Sequence, residues 1–337
     1  MKIQKKLFFS KNFQNSVYDF IGECTIQLGN FDSNELPSVT PTTKVALINK
    51  NKSGSKNSNS GTFILESFKI VTQKTFIQYV QQAQLKLNFT CAIDFTGSNG
   101  HPSLRSSLHY KNVDTMRNQY TDALAPIFVI VQDYDEDKIF PVYGFGAKLP
   151  NGQVSHHFPL NLNTGKPEMF DLSQILDNYW NCVSKVRLCG PTNFAPTIKQ
   201  AVDQARCAER NFWNKREYSV LLILTDGAIT DMNETIQQID RAQKAPISII
   251  IVGVGNADFS SMELLDGDGG DSGFSKVRDC VQFCSYLEVE SMFQGNITDP
   301  SVFNQIKERL AAKVLEELPK QLEIYMSMKH PNTEWNR

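Results

Sequence analysis

Asp94, Thr96 and Ser98 stand at alternate positions in the stretch from Asn88 to Gly100. An apolar run leads into Asp94, and Asn99-Gly100 closes the stretch. Where a chain leaves a strand nearly extended, alternate side chains point the same way, so three oxygen side chains converge at the strand's end. A carboxylate and two hydroxyls gathered in a loop suit a hard cation such as Mg²⁺ or Mn²⁺. Two later stretches offer matching groups. Gly190-Pro-Thr-Asn193 reads as a loop opening a helix, with Thr192 near its start, and the apolar strand Leu221–Thr225 runs into Asp226-Gly227. Ligands of open α/β sheets collect beyond the carboxyl ends of strands, where the strand order switches. An Asp-Gly after a strand is by itself often only a turn. The joint occurrence of Asp94, Thr96, Ser98, Thr192 and Asp226, in this order, is what points to a cation.

The elements that must position these groups change character along the chain. Residues 1 to about 75 look β-rich, with strand candidates at Leu7–Phe9, Phe20–Leu28, Val45–Ile48 and Thr62–Leu65. Asn49–Gly61, rich in Asn, Ser, Lys and Gly, reads as a solvated hairpin loop between the last two. Thr75–Gln84 has helix-like spacing and is taken as a connector. From Leu85 strands alternate with helical stretches, which argues an α/β fold with a mostly parallel, doubly wound sheet. The strand candidates are Leu87–Ile93, Pro141–Phe145, Tyr218–Thr225, Ile247–Val254 and a short Val281–Phe283. The continuous apolar runs Tyr218–Thr225 and Ile247–Val254 fit strands covered on both faces. Pro196–Phe212, Met232–Gln243 and Ser301–Leu318 carry helical stripes, the last stopped by Pro319. Ile127–Val131 reads either as a buried strand or as part of one helix, Asp114–Gln132, kinked at Pro126.

Other chemistry is weaker. Asp133, Asp135, Glu136 and Asp137 read as a solvated turn after a helix. Asp266-Gly-Asp-Gly-Gly-Asp271 fails the EF-hand register, because Gly270 stands where an Asp or Asn belongs. Gly253-Val-Gly255 lacks the third glycine of a dinucleotide loop. His101, His109, His156 and His157 have no Cys or Glu partner at ligand spacing, and no Ser/His/Asp nucleophile grouping stands out. Seven cysteines without a CxxC pair read as mostly buried free thiols in a reducing compartment. The formal net charge of −2 gives no general reason to expect nucleic-acid binding. No run of about 18 apolar residues is present for a transmembrane helix, and no apolar core follows the lysines of Met1–Lys6 for a signal peptide.

The five oxygen side chains together resemble the metal-ion-dependent adhesion site of von Willebrand factor A domains, with Thr96 in the place of that pattern's first serine. The resemblance implies that the hydroxyls bind the metal directly and the aspartates directly or through water, with one position open to an outside acidic side chain. Further stretches are similar to the copine family: Ser107–Tyr110, Val131–Asp135, Gly144–Pro150, Gly190–Pro196, Leu222–Gly227 and Ser248–Gly255. Copines are intracellular, calcium-dependent phospholipid-binding proteins with two C2 domains before an A domain. The family favours helix for Ile127–Val131.

On that resemblance, residues 1–75 are the end of a second C2 domain, a partial β-sandwich, with Tyr18–Glu23 matching its Asp-Phe-Ile-Gly-Glu turn. Residues 76–84 connect it to an A domain over 85–318, and 319–337 form a C-terminal tail. The first C2 domain is absent, as expected of a fragment, a shortened gene product or an incomplete chain. Met1–Tyr18 has no acidic residue, whereas Ca²⁺ needs about six to eight oxygens, so calcium binding by this remnant is not expected. The implied protein is a non-enzymatic, cytoplasmic module, peripheral at the plasma membrane. It recruits intracellular proteins through an acidic ligand and binds phospholipid through intact C2 domains, with no nucleic-acid partner. The alternatives are a metal-independent scaffold and a metal-assisted hydrolase or kinase. The enzyme reading lacks a general base beside the metal and a phosphate-cradling loop, and no Cys-rich tail follows Leu318 to make a RING zinc domain.

Overall fold

The computed structural model describes residues 2–10, 18–27, 43–48, 59–65, 74–135, 137–227, 229–266, 277–293 and 299–330. The chain divides into two compact units, Met1–Thr72 and Gln73–Arg337. The first holds four strands, β1 (Lys2–Ser10), β2 (Tyr18–Gln27), β3 (Thr43–Ile48) and β4 (Asn59–Leu65), in one antiparallel sheet of that order. β1 and β2 pair along their length from Lys2↔Gln27 to Ser10↔Tyr18, with a register shift between Leu7 and Phe8. Most of the loop expected over Asn49–Gly61 lies outside the described residues, as do Lys11–Val17 and the insertion after Asp266.

The second unit is built on β5 (Lys86–Asp94), β6 (Phe140–Phe145), β12 (Glu217–Thr225), β13 (Ile247–Gly253) and β14 (Val281–Ser285), all parallel to their neighbours. Short strands β9 (Phe158–Pro159) and β10 (Glu168–Met169) join β6 antiparallel, giving seven strands with the path β10-β6-β5-β12-β13-β14. Ala147–Lys148 (β7), Val154–Ser155 (β8) and Arg187–Leu188 (β11) form a small separate sheet. The fold is therefore α/β with a mostly parallel, doubly wound sheet. β5 is the switch strand: the chain passes from it to β6 on one side and later returns to β12 on the other.

Helices cover both faces, and strand alternation assigns residues to them. Leu87, Phe89, Cys91 and Ile93 of β5, with Val220, Leu222 and Leu224 of β12, face one core. That core includes α1 (Gln119–Val131), α2 (Leu172–Lys185), α8 (Pro300–Val314) and α9 (Leu318–Lys329). Ala92, Leu221 and Ile223 face the other core, with α3 (Ala195–Arg210), α5 (Met232–Ala242) and α6 (Ser260–Asp266). Single turns at Phe212–Lys215 (α4) and Tyr286–Ser291 (α7) complete the set.

Several local readings change. The ambiguous Ile127–Val131 is helical, the last part of α1, which begins under an Asn118–Thr121 capping box and carries Pro126 inside. Pro319 does not merely stop a helix. α8 ends at Val314, and Pro319 sits in the first turn of α9, where its missing N–H costs nothing. Residues that read as a tail thus form a helix burying Leu318, Leu322, Tyr325 and Met326. The connector segment belongs to the second unit, where Tyr79 and Ala83 join its core. Helix α2 has a legible signal that the sequence reading passes over: an Asp171 N-cap, then buried Ile175, Tyr179 and Cys182 at helical spacing. Cys91, Cys182, Cys189, Cys207 and Cys284 are unbridged thiols, and Cys91, Cys182, Cys280 and Cys284 are buried.

Candidate metal centre

β5 and β12 run in register to their carboxyl ends, with Ile93 opposite Leu224. Asp94 and the Thr225-Asp226 pair therefore emerge side by side at the switch point of the sheet. Beyond Asp94 the backbone stays extended at Thr96, then turns through Gly97–Asn99 and leaves through Gly100 at φ +76°. Asp94, Thr96 and Asp226 are 0%, 1% and 5% exposed, whereas Ser98 is exposed, so the group opens to solvent on the Ser98 side.

A single hydrogen-bonded set links four of the five expected residues. Asp94 Oδ1 accepts from the Thr96 N–H (2.7 Å), and Asp94 Oδ2 accepts from the Thr225 hydroxyl (2.7 Å). The Ser98 hydroxyl donates to Asp226 Oδ1 (2.9 Å). Its proton is thereby used, so the Thr96 hydroxyl, 2.9 Å away, donates to Ser98. Thr192 lies in the Gly190–Ala195 loop, is 6% exposed, and is held by its backbone: its carbonyl accepts from the N–H and the hydroxyl of Thr230, each at 2.9 Å. The Thr192 hydroxyl takes no part in the set. The same loop is braced at both ends. The Cys189 N–H approaches the carbonyls of Phe95 and Gly146, while Asp231 accepts from the N–H groups of Phe194 and Ala195, each at 2.9 Å. Gly146 is required where it stands, since its φ is +76° and a Cβ there would come 2.2 Å from Thr96 Cγ2.

The electrostatics are those of an uncompensated pair. Among the described residues neither Asp94 nor Asp226 has a cationic partner. Burial raises the Asp94 carboxyl above its ordinary value, and the hydrogen bonds from Thr96 and Thr225 pull it part of the way back. Burial, followed by the charge of Asp94, pushes Asp226 up to about 7. Two carboxylates held together in a dry site disfavour their own ionisation, and a divalent cation between them would remove that cost. No group of three or more His, Cys, Asp or Glu capable of holding a metal stands among the described residues. A cation here would therefore rest on two carboxylates and the hydroxyls, an all-oxygen donor set that fits Mg²⁺ or Mn²⁺.

Several supporting residues are not visible in the motif. Asn99 reaches Asp94 Oδ1 (3.4 Å) and accepts from the Tyr120 hydroxyl (2.7 Å). His109 is fully buried between the rings of Phe95 (5.0 Å) and Tyr120 (4.5 Å), both stacked nearly parallel to it. Its Nε2 lies 2.8 Å from the Asp94 carbonyl oxygen, which can only accept, so Nε2 carries the proton and Nδ1 accepts from the Tyr179 hydroxyl (2.7 Å). Burial lowers the His109 imidazole to about 3. The unfolded chain therefore takes up a proton at pH 3–6.5 that the fold refuses, and this contribution to stability is complete above about pH 6.5 and lost as pH falls. Denaturant melts of the wild type and His109→Gln should show a stability gap that narrows by about 1.4 kcal/mol per unit below pH 6.5. The acidic turn after α1 also differs from expectation. Asp135 is 3% exposed and accepts from the Phe89 N–H (3.4 Å) at the edge of β5, and burial with Asp137 nearby pushes it up to about 7.

With this geometry in hand, the comparisons decide the family. The family model described as Copine matches residues 107–334. The chain belongs to the copine family. That match begins after the Asp94–Ser98 stretch and includes Thr192 and Asp226. A curated relative, Nicotinic receptor-associated protein 1 of Caenorhabditis elegans, is 42% identical over 285 residues, covering 83% of this chain and 44% of the relative. This copine chain thus spans less than half of that relative's length. Among solved structures it is similar to the manganese-loaded TRAP protein of Plasmodium vivax, at 11% identity and TM-score 0.39, covering 62% of this chain and 72% of that one. It is also similar to proximal thread matrix protein 1 of the mussel byssus, at 12% identity and TM-score 0.34, covering 68% and 47%. At those TM-scores neither likeness carries weight. No described helix is long and apolar enough to cross a membrane.

Proposed function

We propose that this copine-family chain is a non-enzymatic binding module. Its A domain, residues 85–318, holds Mg²⁺ or Mn²⁺ through Asp94, Thr96, Ser98, Thr192 and Asp226 and presents the ion to an acidic side chain of an intracellular protein. The observation that carries this reading is the meeting of two buried carboxylates, Asp94 and Asp226, at adjacent strand ends with hydroxyl donors and no cationic partner among the described residues. Two carboxylates against a divalent ion leave little net negative charge, so an incoming Asp or Glu is not repelled. The exposed Ser98 leaves its approach open. The relative's name, a receptor-associated protein, favours a protein as partner.

Residues 1–75, the end of a second C2 domain in this reading, and the 76–84 connector would place the A domain near a membrane only in the intact protein. There Ca²⁺ and complete C2 domains supply phospholipid docking, giving a cytoplasmic protein peripheral at the plasma membrane. A metal-independent scaffold is the second reading. It is favoured by the hydrogen bonds from Ser98 to Asp226 and from Thr225 to Asp94, which satisfy the set when a proton replaces the ion. A hydrolase or kinase is less well supported, because Asp226 is used as a ligand and the nearby His109 is committed to Asp94 and Tyr179.

The test is binding of a labelled glutamate-rich peptide in Mn²⁺ and in EDTA. Binding is expected with Mn²⁺ and is expected to vanish in EDTA and in Asp94→Ala. Equal binding in both conditions would select the scaffold, and phosphate release from a nucleotide with the ion present would select the enzyme.

A further inference from the structure

The carboxyl ends of β13 and β14 open onto a groove of ≈ 460 Å³ that the cation reading does not use. Its floor is apolar. The Phe259 and Phe283 rings lie 5.4 Å apart, and Leu287, 40% exposed, carries the apolar surface outward. Gly253 makes room for this floor, because a Cβ there would stand 2.8 Å from the Phe259 ring. Phe283 is fixed in turn by its N–H, which donates to Asp266 Oδ2 at 3.1 Å.

The rims are acidic. Asp258 and Glu263 stand on the α6 side and Glu288 on the α7 side, all three exposed. Asp258 accepts from the Ser260 N–H (2.9 Å), and Glu288 lies 3.8 Å from Lys313, a surface pair that contributes little. Among the described residues no Lys, Arg or His lines the groove. Three carboxylates around an aromatic floor complement a segment that carries both cationic and aliphatic side chains. A Lys or Arg can lay its methylene stem on the Phe259 and Phe283 rings and keep its charged head at the rim.

We infer that this groove docks a basic amphipathic peptide segment of a protein partner. The inference is independent of the cation site. The groove repels the acidic ligands that a bound ion would attract, so the two surfaces select opposite charge from a partner.

Fluorescence anisotropy of a labelled Leu/Lys dodecapeptide, titrated with the full chain in EDTA, tests this, with a Leu/Glu peptide of equal length for comparison. The Lys peptide is expected to bind and the Glu peptide not. Glu263→Lys should weaken binding by about tenfold or more, and Leu287→Asn by about threefold. Asp240→Lys, an exposed charge reversal on α5 outside the groove, should leave it within about twofold. Both Glu263 and Leu287 are on the surface, so circular dichroism should report intact folds. Absence of binding by the wild type, binding of both peptides alike, or equal losses in Glu263→Lys and Asp240→Lys would overturn the inference.

Discussion

Arg278→Met is expected to lower the stability of the second unit by about 3–5 kcal/mol, because hydrogen bonds to a charged group contribute about 1.5–3 kcal/mol each and desolvation of the buried guanidinium offsets part of their sum. The side chain is 2% exposed and has no carboxylate partner among the described residues. Its charge is spread instead over main-chain oxygens. Nη2 donates to the carbonyls of Ile247 (2.7 Å), Ala245 (3.1 Å) and Ala242 (3.3 Å). Nη1 donates to the Gln321 carbonyl (3.2 Å) and the Tyr218 hydroxyl (3.1 Å), and Nε donates to the Gln243 carbonyl (3.3 Å). One guanidinium therefore closes the end of α5, where the helix dipole is negative, and ties it to the first residues of β12 and β13 and to α9. Methionine fills a similar volume but takes a charged donor away from each of these oxygens, leaving Ala242 and Ala245 only the N–H groups of Ala245 and Ile247. Urea melts should show the drop in midpoint. All of these partners lie at the amino ends of the strands, away from Asp94 and Asp226, so cation uptake by the variant that remains folded should be unchanged.

The second large effect has the opposite sign. In the metal-free protein Asp226 favours its protonated form. A carboxyl raised in the fold contributes stability that is present below its unfolded value near 3.8 and lost as pH rises through about 7. Above pH 7 the ionised pair weakens the fold. Asp226→Asn removes that charge, keeps an oxygen for the Ser98 hydroxyl, and should raise the metal-free melting temperature at pH 8 by about 2–4 °C for each kcal/mol relieved. The difference should shrink toward pH 4. Mg²⁺ at about 100 times its dissociation constant should stabilise the wild type by about 2.7 kcal/mol and leave Asp226→Asn unmoved. Differential scanning fluorimetry across pH, with and without the ion, reads both effects. A destabilised Asp226→Asn that still responds to Mg²⁺ would show that the carboxylate pair is not the liability described here.

What the sequence made legible and what it hid follow from the range of the interactions. Asp94, Thr96 and Ser98 could be grouped because strand geometry alone aligns them, and Asp226 because an apolar run ends at it. The parallel sheet was readable from the buried runs of β12 and β13, which need no partner to be recognised. Thr225 was not readable as a donor, since a threonine closing an apolar strand looks like a strand former. Only the register of β12 against β5 brings its hydroxyl to Asp94. His109 was an isolated histidine until the fold stacked Phe95 and Tyr120 on its two faces. Arg278 draws its partners from α5, β12, β13 and α9, a convergence no local pattern encodes. Asp135 misled because composition marks an acidic turn as solvated, whereas the uncovered edge of β5 at Phe89 takes one of its carboxylate oxygens.

Calorimetric titration of Mn²⁺ and Mg²⁺ into the wild type, Asp94→Ala and Asp94→Asn tests the cation site most directly. The expected result is uptake of one ion per chain by the wild type and none by either variant, with Asp94→Asn retaining the wild-type circular dichroism spectrum. A folded wild type that takes up neither ion, or an Asp94→Asn variant that binds as the wild type does, would contradict the site.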